Sequence, residues 1–521
     1  MSDTPEGADQ DSVLRFLGDP SAYGTEVQEV ARIDTHGAIV FLAGDFAYKI
    51  KRALRYPYMD FSTLEKRQQA CARELSLNAR TAPSLYLKVI AVTRGEDGCL
   101  ALDGGGTTVE WVLVMKRFPQ EDLLSNQADR RQLTRETMVE LAEVVAEFHD
   151  TAPPPPGATE AGNPAGTETF DWVVRENIEE LTDRRDLFPA GDVARLAELS
   201  LAQLAGRKSL LDARASAGQV RLCHGDLHLR NVVLLDGHPR LFDAIEFNDA
   251  IACIDVFYDL AFLLMDLEHR GLRPFANLVL NRYLQHREAL DALPLLPLFL
   301  SARACVRAKV AASLEKLAGK PAQKTKRRAE AQNYFSEALA FLTPPPPRLV
   351  AVGGLSGSGK TTVASHLAPR LGAAPGAVHL RSDILRKALA GVGEETRLPP
   401  EAYNPKANRA VYDDLLRKAA NVLAAGHAVI VDAVFARPEE RAALERVARA
   451  SGCTFSGLWL EARPANLRSR VEGRRHDASD ATAKVVDRQL DYDLGRLTWT
   501  TIDADGTVES VVETADRHLA L

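Results

Sequence analysis

Asp226, Asn231 and Asp243 lie close together in VRLCHGDLHLRNVVLLDGHPRLFDAIEFNDA, a block that begins at Val220. Asp226 follows one apolar run on a loop, and Asp243 ends another. Transfer of a phosphoryl group to a hydroxyl needs a carboxylate that orients the alcohol and accepts its proton. It also needs oxygen ligands for the magnesium that bridges the phosphates. The three residues supply both functions.

A second set of parts follows. GLSGSGKT, Gly354, Leu355, Ser356, Gly357, Ser358, Gly359, Lys360 and Thr361, fits G-x-x-x-x-G-K-[ST] in full, with a strand-like run before it and a helical pattern after it. Gly357, Ser358 and Gly359 let backbone N–H groups converge on one concavity at a helix N-terminus, where phosphate is favoured. Lys360 reaches the β- and γ-phosphates, and Thr361 offers an oxygen to magnesium. Asp432 ends the apolar run AVIVD, where a carboxylate holding magnesium directly or through water is expected.

Elements must position these groups. Residues 27–114 hold short β-like runs (AIVFLAG, FAYKIK, SLYLKVIAV, TVEWVLVM) and one helical segment, STLEKRQQACARELSLNAR, which reads as a small sheet with one helix. Long helical patterns dominate from about 120 to 342, broken by the strand-turn-strand island around Asp226. After 348 strands alternate with helices, the signature of a parallel sheet covered on both faces. TAPPPPGATEAGNPAGTET at 151–169 reads as an insertion loop, and TPPPPR at 343–348 as a linker, because proline runs cannot continue helices or donate to a ladder. The expected order is an N-terminal tail (1–24), a sheet lobe (25–118), a helical lobe (119–342), the linker (343–348) and an α/β domain (349–521).

The 521 residues exceed a single core, and the composition is that of an ordinary globular protein: 46% hydrophobic and 26% charged. A net charge of −7 gives no global reason to expect nucleic acid or an anionic membrane as partner, so small molecules are the expected ligands. Six scattered cysteines form no C-x-x-C pair, which argues against a zinc site or disulfide framework and fits a reducing cytoplasm. The polar start MSDTPEGADQDSV and the absence of a long uncharged apolar run predict neither export nor a membrane span.

HGDLHLRN with the later Asp243 resembles the aminoglycoside phosphotransferase and choline kinase branch of the protein-kinase-like fold. That resemblance covers roughly residues 25–342 and implies a bilobal α+β architecture, with Asp226 as catalytic base and Asn231 and Asp243 as magnesium ligands. FAYKIK looks like the kinase strand whose lysine holds the α- and β-phosphates. Lys49 would be that lysine and Glu74 its ion-pair partner; Lys51 competes with Lys49 on spacing, and alternation puts both on one face. VLVMKRF takes the place of the adenine-holding hinge. THGAIVFL lacks G-x-G-x-x-G, so Gly37 and Ala38 carry only a weak phosphate-covering role. Without D-F-G or A-P-E after Asp226, the acceptor is expected to be small. His224 and His228 read as loop braces, Asp259 as a loop anchor or helix cap, and Glu246 as a metal helper or a solvent-facing residue.

The carboxy-terminal block, an α/β P-loop NTPase pattern with a parallel sheet, is similar to kinases of the gluconate kinase, zeta toxin and polynucleotide kinase neighbourhood. The resemblance implies Asp383 as the base near the acceptor, Arg386 as a clamp, and a lid arginine at Arg474 or Arg475 in the basic run that also holds Arg468, Arg470 and His476. The whole resembles a bacterial family in which an aminoglycoside phosphotransferase is fused to an ATP-binding kinase. Two ATP- and magnesium-dependent phosphotransferases in one chain are the first expectation. The others are a P-loop switch that hydrolyses ATP to regulate its neighbour, and a first domain that binds ligand as a pseudokinase. Nothing in the residues names an acceptor, and a nucleic acid stays open for the P-loop domain without support from the charge.

Overall fold

The alternation in AIVFLA and FAYKIK becomes an antiparallel sheet in the computed structural model, which describes residues 6–56, 59–155, 165–473 and 478–520. The chain divides into two units, Met1–Arg175 with Lys208–Asp266, and Glu176–Arg207 with Leu267–Leu521.

In the first unit the strand order is Val30–Asp34, Ala38–Ala43, Phe46–Lys51, Thr107–Lys116, Tyr86–Arg94, Leu100–Leu102, all neighbours antiparallel. Period-two alternation sends Ile50 to one face and Lys49 and Lys51 to the other. Ile50 joins Ile39, Phe41, Val92 and Val112 in a core closed by Val13 and Leu17. Those two belong to a helix, Glu6–Leu17, inside the segment that the polar sequence start suggested as a tail; two buried apolar residues are enough to seat it. The opposite face packs Ala47, Leu113 and Met115 against Cys71 of the helix Leu64–Asn78, whose N-terminus is capped by the Thr63 hydroxyl accepting from Lys66 N–H. Around Asp226, strand Val220–Leu222 pairs with Cys253–Asp255, and Val232–Leu235 with His238–Leu241. The Pro-rich stretch lies partly outside the described residues; from Ala165 onward the chain is helical, to Thr182.

The second unit carries a five-stranded, wholly parallel sheet in the order Val378–Arg381, Val429–Asp432, Arg348–Gly354, Thr454–Glu461, Thr500–Asp503. Parallel neighbours require crossovers, hence the alternating strand-helix sequence. Helices Lys360–Leu367 and Val508–Leu519 cover one face through Val363, Leu367, Val512 and Leu519 packed on Val350, Ile430 and Leu458. The last strand went unread in the sequence because TTID is short and mostly polar. Helices Leu296–Leu317 and Pro321–Leu342 belong to this same unit, so the Pro-rich stretch 343–348 lies inside it.

Helix Arg273–Arg287 closes the sheet edge formed by Val378–Arg381. Asn281 Nδ2 donates to the Ala377 carbonyl at 3.2 Å, and its Oδ1 accepts from His379 N–H at 2.7 Å; Asn277 Nδ2 donates to the same carbonyl at 3.0 Å. The carboxamide of Asn281 thus stands where the peptide group of a further strand would, satisfying an edge that would otherwise be open. Arg273 adds bonds to the carbonyls of Pro369 and Gly372.

His427, 1% exposed, joins the same unit by donating Nε2–H to the Leu293 carbonyl at 3.0 Å, while its Nδ1 is buried with no partner. Burial lowers its pKa from 6.5 to about 4. As pH falls below 6.5 the unfolded chain protonates first, so the stability His427 contributes is whole above that value and drains away down to about pH 4. A gap of that size is worth roughly 3 kcal/mol. In urea denaturation at pH 7 and pH 4.5, His427→Gln should shrink the stability difference between the two pH values by most of that amount, about 2 kcal/mol. An undiminished difference would show that other groups set it.

Candidate active sites

In the first unit, one buried carboxylate organises the two same-face lysines. Glu74 is 0% exposed; its Oε1 accepts from Lys49 Nζ at 2.7 Å and its Oε2 from Lys51 Nζ at 2.5 Å. Lys49 also bonds the Asp243 carboxylate, and Lys51 the Glu246 carboxylate. Burial acts to lower the Lys49 pKa, but Asp243 and Glu74 outweigh it and raise it well above the usual lysine value. Burial likewise acts to raise Asp243, and Lys49 overrides it, so this carboxyl lies below its ordinary range. The two lysines that share Glu74 differ in their second partner: Lys49 meets Asp243, whereas Lys51 ties down the chain three residues later. Glu246 is 7% exposed and paired, rather than solvent-facing.

Asp226 sits on a loop held from behind. Asp259, 0% exposed, accepts His224 N–H at 3.0 Å, Gly225 N–H at 2.9 Å, and a bond from His149 Nε2 at 3.1 Å. It anchors the loop. Gly225 has φ +81°, and a Cβ there would lie 3.0 Å from the Ile245 side chain, so the turn needs glycine. His224 Nε2–H donates to the Phe242 carbonyl at 2.9 Å, bracing loop to hairpin. Asn231 Nδ2 donates to Asp226 Oδ2 and to its carbonyl, both at 2.9 Å, and His228 Nε2 lies 3.4 Å from the same Oδ2. Asp243 itself has φ +63°; its N–H donates to the Tyr86 hydroxyl at 3.0 Å, and the next N–H, of Ala244, to Asn78 Oδ1 at 2.9 Å. Lys49, Glu74 and Asp243 come together, as do Asp226 and Asn231. Gly37 lies in the turn between the first two strands, where its carbonyl accepts Arg52 N–H, and Ala38 opens the second strand.

Asp259→Ala strands two buried backbone donors and His149. At about 1–3 kcal/mol for each unsatisfied buried group, a loss of roughly 3 kcal/mol or more is expected. Urea unfolding of the full chain checks it, and a loss under about 1 kcal/mol would contradict the anchoring role.

In the second unit the P-loop runs from the end of strand Arg348–Gly354 into helix Lys360–Leu367. Gly354, Gly357 and Gly359 have φ of +143°, +87° and +89°. A Cβ at Gly354 would meet Leu460 O at 2.5 Å, and one at Gly357 would meet Leu467 O at 2.4 Å. Ser356 N–H donates to Gln489 Oε1 at 2.8 Å, Lys360 Nζ donates to Leu355 O at 3.0 Å, and Ser358 is buried. Thr361 Oγ1 donates to Asp432 Oδ2 at 2.5 Å. Burial acts to raise Asp432, but His379, with Lys360 and Arg381, carries it below its ordinary value. His379 Nε2 is 3.7 Å and Arg381 Nε 4.0 Å from the same Oδ2.

Asp383 opens helix Ser382–Leu389, and its pKa is raised, by burial first and by Asp432 next. Arg386 lies over the Tyr403 ring at 4.8 Å and donates to Ala402 O. Arg474, Arg475 and His476 fall outside the described residues. Just beyond them Asp480 accepts from Lys387 Nζ at 2.8 Å, Leu398 N–H at 3.0 Å and the Tyr403 hydroxyl at 2.6 Å. Arg468 pairs with Asp487 and Arg470 with the Ala504 carbonyl, so these two arginines of the basic run are engaged locally. Sequence reasoning missed Gln489, Asp480 and Asn281; amides and carboxylates this far from a motif carry no local signal. No helix among the described residues is long and apolar enough to cross a membrane.

The sheet-and-helix unit that holds Lys49, Glu74, Asp226, Asn231 and Asp243 and the parallel-sheet unit that holds the P-loop belong to a phosphotransferase enzyme with a protein-kinase-like domain followed by a P-loop kinase-like domain. Residues 52–293 match the model of the phosphotransferase enzyme family and residues 349–493 that of an AAA domain family. The chain belongs to the family of the Mycobacterium tuberculosis protein named "Uncharacterized protein Rv2004c", to which it is 32% identical over 471 residues, covering 89% of this chain and 90% of that one. Among solved structures it is similar to a choline/ethanolamine kinase family protein from Mesorhizobium loti (15% identity, TM-score 0.36, 64% of this chain and 99% of that chain). It is also similar to a gluconokinase from Sinorhizobium meliloti 1021 (22% identity, TM-score 0.25, 33% of this chain and 92% of that chain).

Proposed function

We propose that the chain is a bifunctional, ATP-dependent phosphotransferase of the cytoplasm, each domain moving the γ-phosphate of ATP to a hydroxyl of a small molecule. One observation carries this reading: the two sets of parts are not shared. Lys49, Glu74, Asp226, Asn231 and Asp243 lie in one unit, and Gly354 to Thr361, Asp383 and Asp432 in the other.

In the first domain Asp226, its carboxylate oriented by Asn231 and His228, orients the acceptor hydroxyl and takes its proton. Lys49, kept charged by Glu74, turns from Asp243 to the α- and β-phosphates. In the second, the glycines keep side chains out of the loop so that backbone N–H groups face phosphate, Lys360 follows the β- and γ-phosphates, and Asp383 takes the acceptor proton. Its raised pKa suits a base. A lid arginine, Arg474 or Arg475, would complete the charge stabilisation. Asp243 with Asn231, and Asp432 with Thr361, offer the all-oxygen donor sets that magnesium prefers; bound there, it would neutralise charge on the phosphates. The net charge of −7 favours small acceptors over nucleic acid.

The test is incubation of the full chain with γ-labelled ATP and a metabolite extract. Labelled phosphorylated small molecules are expected. Release of inorganic phosphate as the sole product would instead support a P-loop switch beside a ligand-binding pseudokinase.

A further inference from the structure

The strand Val378–Arg381 feeds three residues to the P-loop site. His379 and Arg381 point at Asp432 from 3.7 and 4.0 Å, and Asp383 follows two positions later. Hydrogen bonds to the neighbouring strand hold it on one side, with its register to Val429–Asp432. On its other side the peptide groups flanking Val378 are held by a carboxamide from a helix about a hundred residues earlier. Asn281 takes the N–H of His379 itself at 2.7 Å and gives to the Ala377 carbonyl at 3.2 Å. Asn281 and Asn277 are 8% and 4% exposed, so no water replaces these bonds readily. The two asparagines are not equivalent. The Ala377 carbonyl has both as donors, whereas Asn281 Oδ1 is the acceptor that the His379 N–H meets. Asn281 Nδ2 is itself steadied by Asn277 O at 3.0 Å and Oδ1 at 3.1 Å.

The geometry points to Asn281 as a positioning residue for the second phosphoryl-transfer site: it sets the backbone at His379 and through it the placement of His379 and Arg381 against the magnesium-binding carboxylate Asp432. The P-loop site thereby depends on a side chain from outside residues 349–521, on a helix lying within the span that matches the phosphotransferase family. This rests on the reading of the P-loop site as one that turns over ATP with magnesium.

The experiment measures ATP turnover by the full chain carrying Asp226→Ala, so that the second site is read alone, against magnesium concentration. Asn281→Ala should lower kcat about tenfold and raise the magnesium concentration for half-maximal turnover, because small misplacements of reacting groups cost rate steeply. The affinity of its second site for a fluorescent ATP analogue without magnesium, taken as the binding component that Lys360→Ala removes, should stay within about twofold, since the P-loop itself is untouched. Asn277→Ala loses one of two donors to Ala377 and the Oδ1 contact to Asn281 Nδ2, but keeps its main-chain O beside that Nδ2 and leaves Asn281 Oδ1 to accept from His379 N–H, so it should keep kcat and the magnesium response within about twofold while melting at a lower temperature. Asn281→Ser, a milder change, should move kcat and magnesium response in the same direction as Asn281→Ala by less, and carries the test if the alanine variant does not fold. Equal kcat losses in the Asn277 and Asn281 variants, scaling with their melting temperatures, would overturn the assignment, as would an unshifted magnesium response. Turnover retained by Lys360→Ala would overturn the reading of the site itself, and this inference with it.

Discussion

Asp226→Ala in the full chain should reduce formation of the first domain's phosphorylated product by about a thousandfold, within the range a positioned general base contributes. The loss should fall on kcat. Asp226 touches Asn231 and His228, while Lys49 and Glu74 hold each other without it, so KM for ATP should change by no more than about threefold. Asp226→Asn sharpens the test. Its amide oxygen can still accept from Asn231 Nδ2, but it cannot take the alcohol proton, and the loss should match that of the alanine variant. A fall of less than about tenfold in both would mean that the carboxylate only orients its neighbours. The second domain's product should be unaffected in either variant.

Gly357→Ala should silence the second domain. At φ +87° an L-residue pays a backbone strain of about 1–2 kcal/mol, and here the new Cβ would also sit 2.4 Å from Leu467 O, a main-chain atom on helix Pro464–Glu472. A flexible side chain could yield; this carbonyl cannot move without its helix. The loop must open, and the N–H groups that face phosphate lose their common focus. Gly359→Ala is the natural comparison, because φ there is +89° but nothing lies within 4 Å of the added Cβ. It should keep measurable ATP binding with a loss of about tenfold, the equivalent of strain alone, whereas Gly357→Ala should lose about a hundredfold or more. Isothermal titration with ATP in a Lys49→Ala background, which removes the lysine proposed to hold phosphate in the first domain, reads both. Equal losses would show that conformational strain, and not the approach to Leu467, governs the loop.

Both centres were legible where chemistry is written in a short stretch. GLSGSGKT specifies its own turn, and HGDLHLRN with Asp243 its own loop and hairpin. Glu74 came from the resemblance, and the alternation in FAYKIK placed Lys49 and Lys51 on one face; their division of labour was not readable, because it depends on which carboxylate the chain brings back from residues 243 and 246. The helix Glu6–Leu17 escaped notice since two buried residues, Val13 and Leu17, make no clear periodic stripe in a polar segment. Harder still were Asn281 on His379 and Gln489 on Ser356. A lone amide on a helix has no signature until the fold places a peptide group opposite it. The Pro-rich stretch 343–348 reads as a boundary by composition, and what composition leaves out is that the side chains of Asn277, Asn281 and Arg273 before it bond main chain between residues 369 and 379 after it. Composition reports where a chain is stiff, not which surfaces it later buries.

Two separate phosphotransferases in one chain, as proposed, must give separable products. Labelled products formed from γ-labelled ATP should be compared for the wild type, Asp226→Ala, Lys360→Ala and the double variant. Each single variant should lose one product and keep the other, and the double variant should lose both. If either single substitution removed every labelled product, the two sets of residues would be parts of one dependent system, and the account of two independent sites would be wrong.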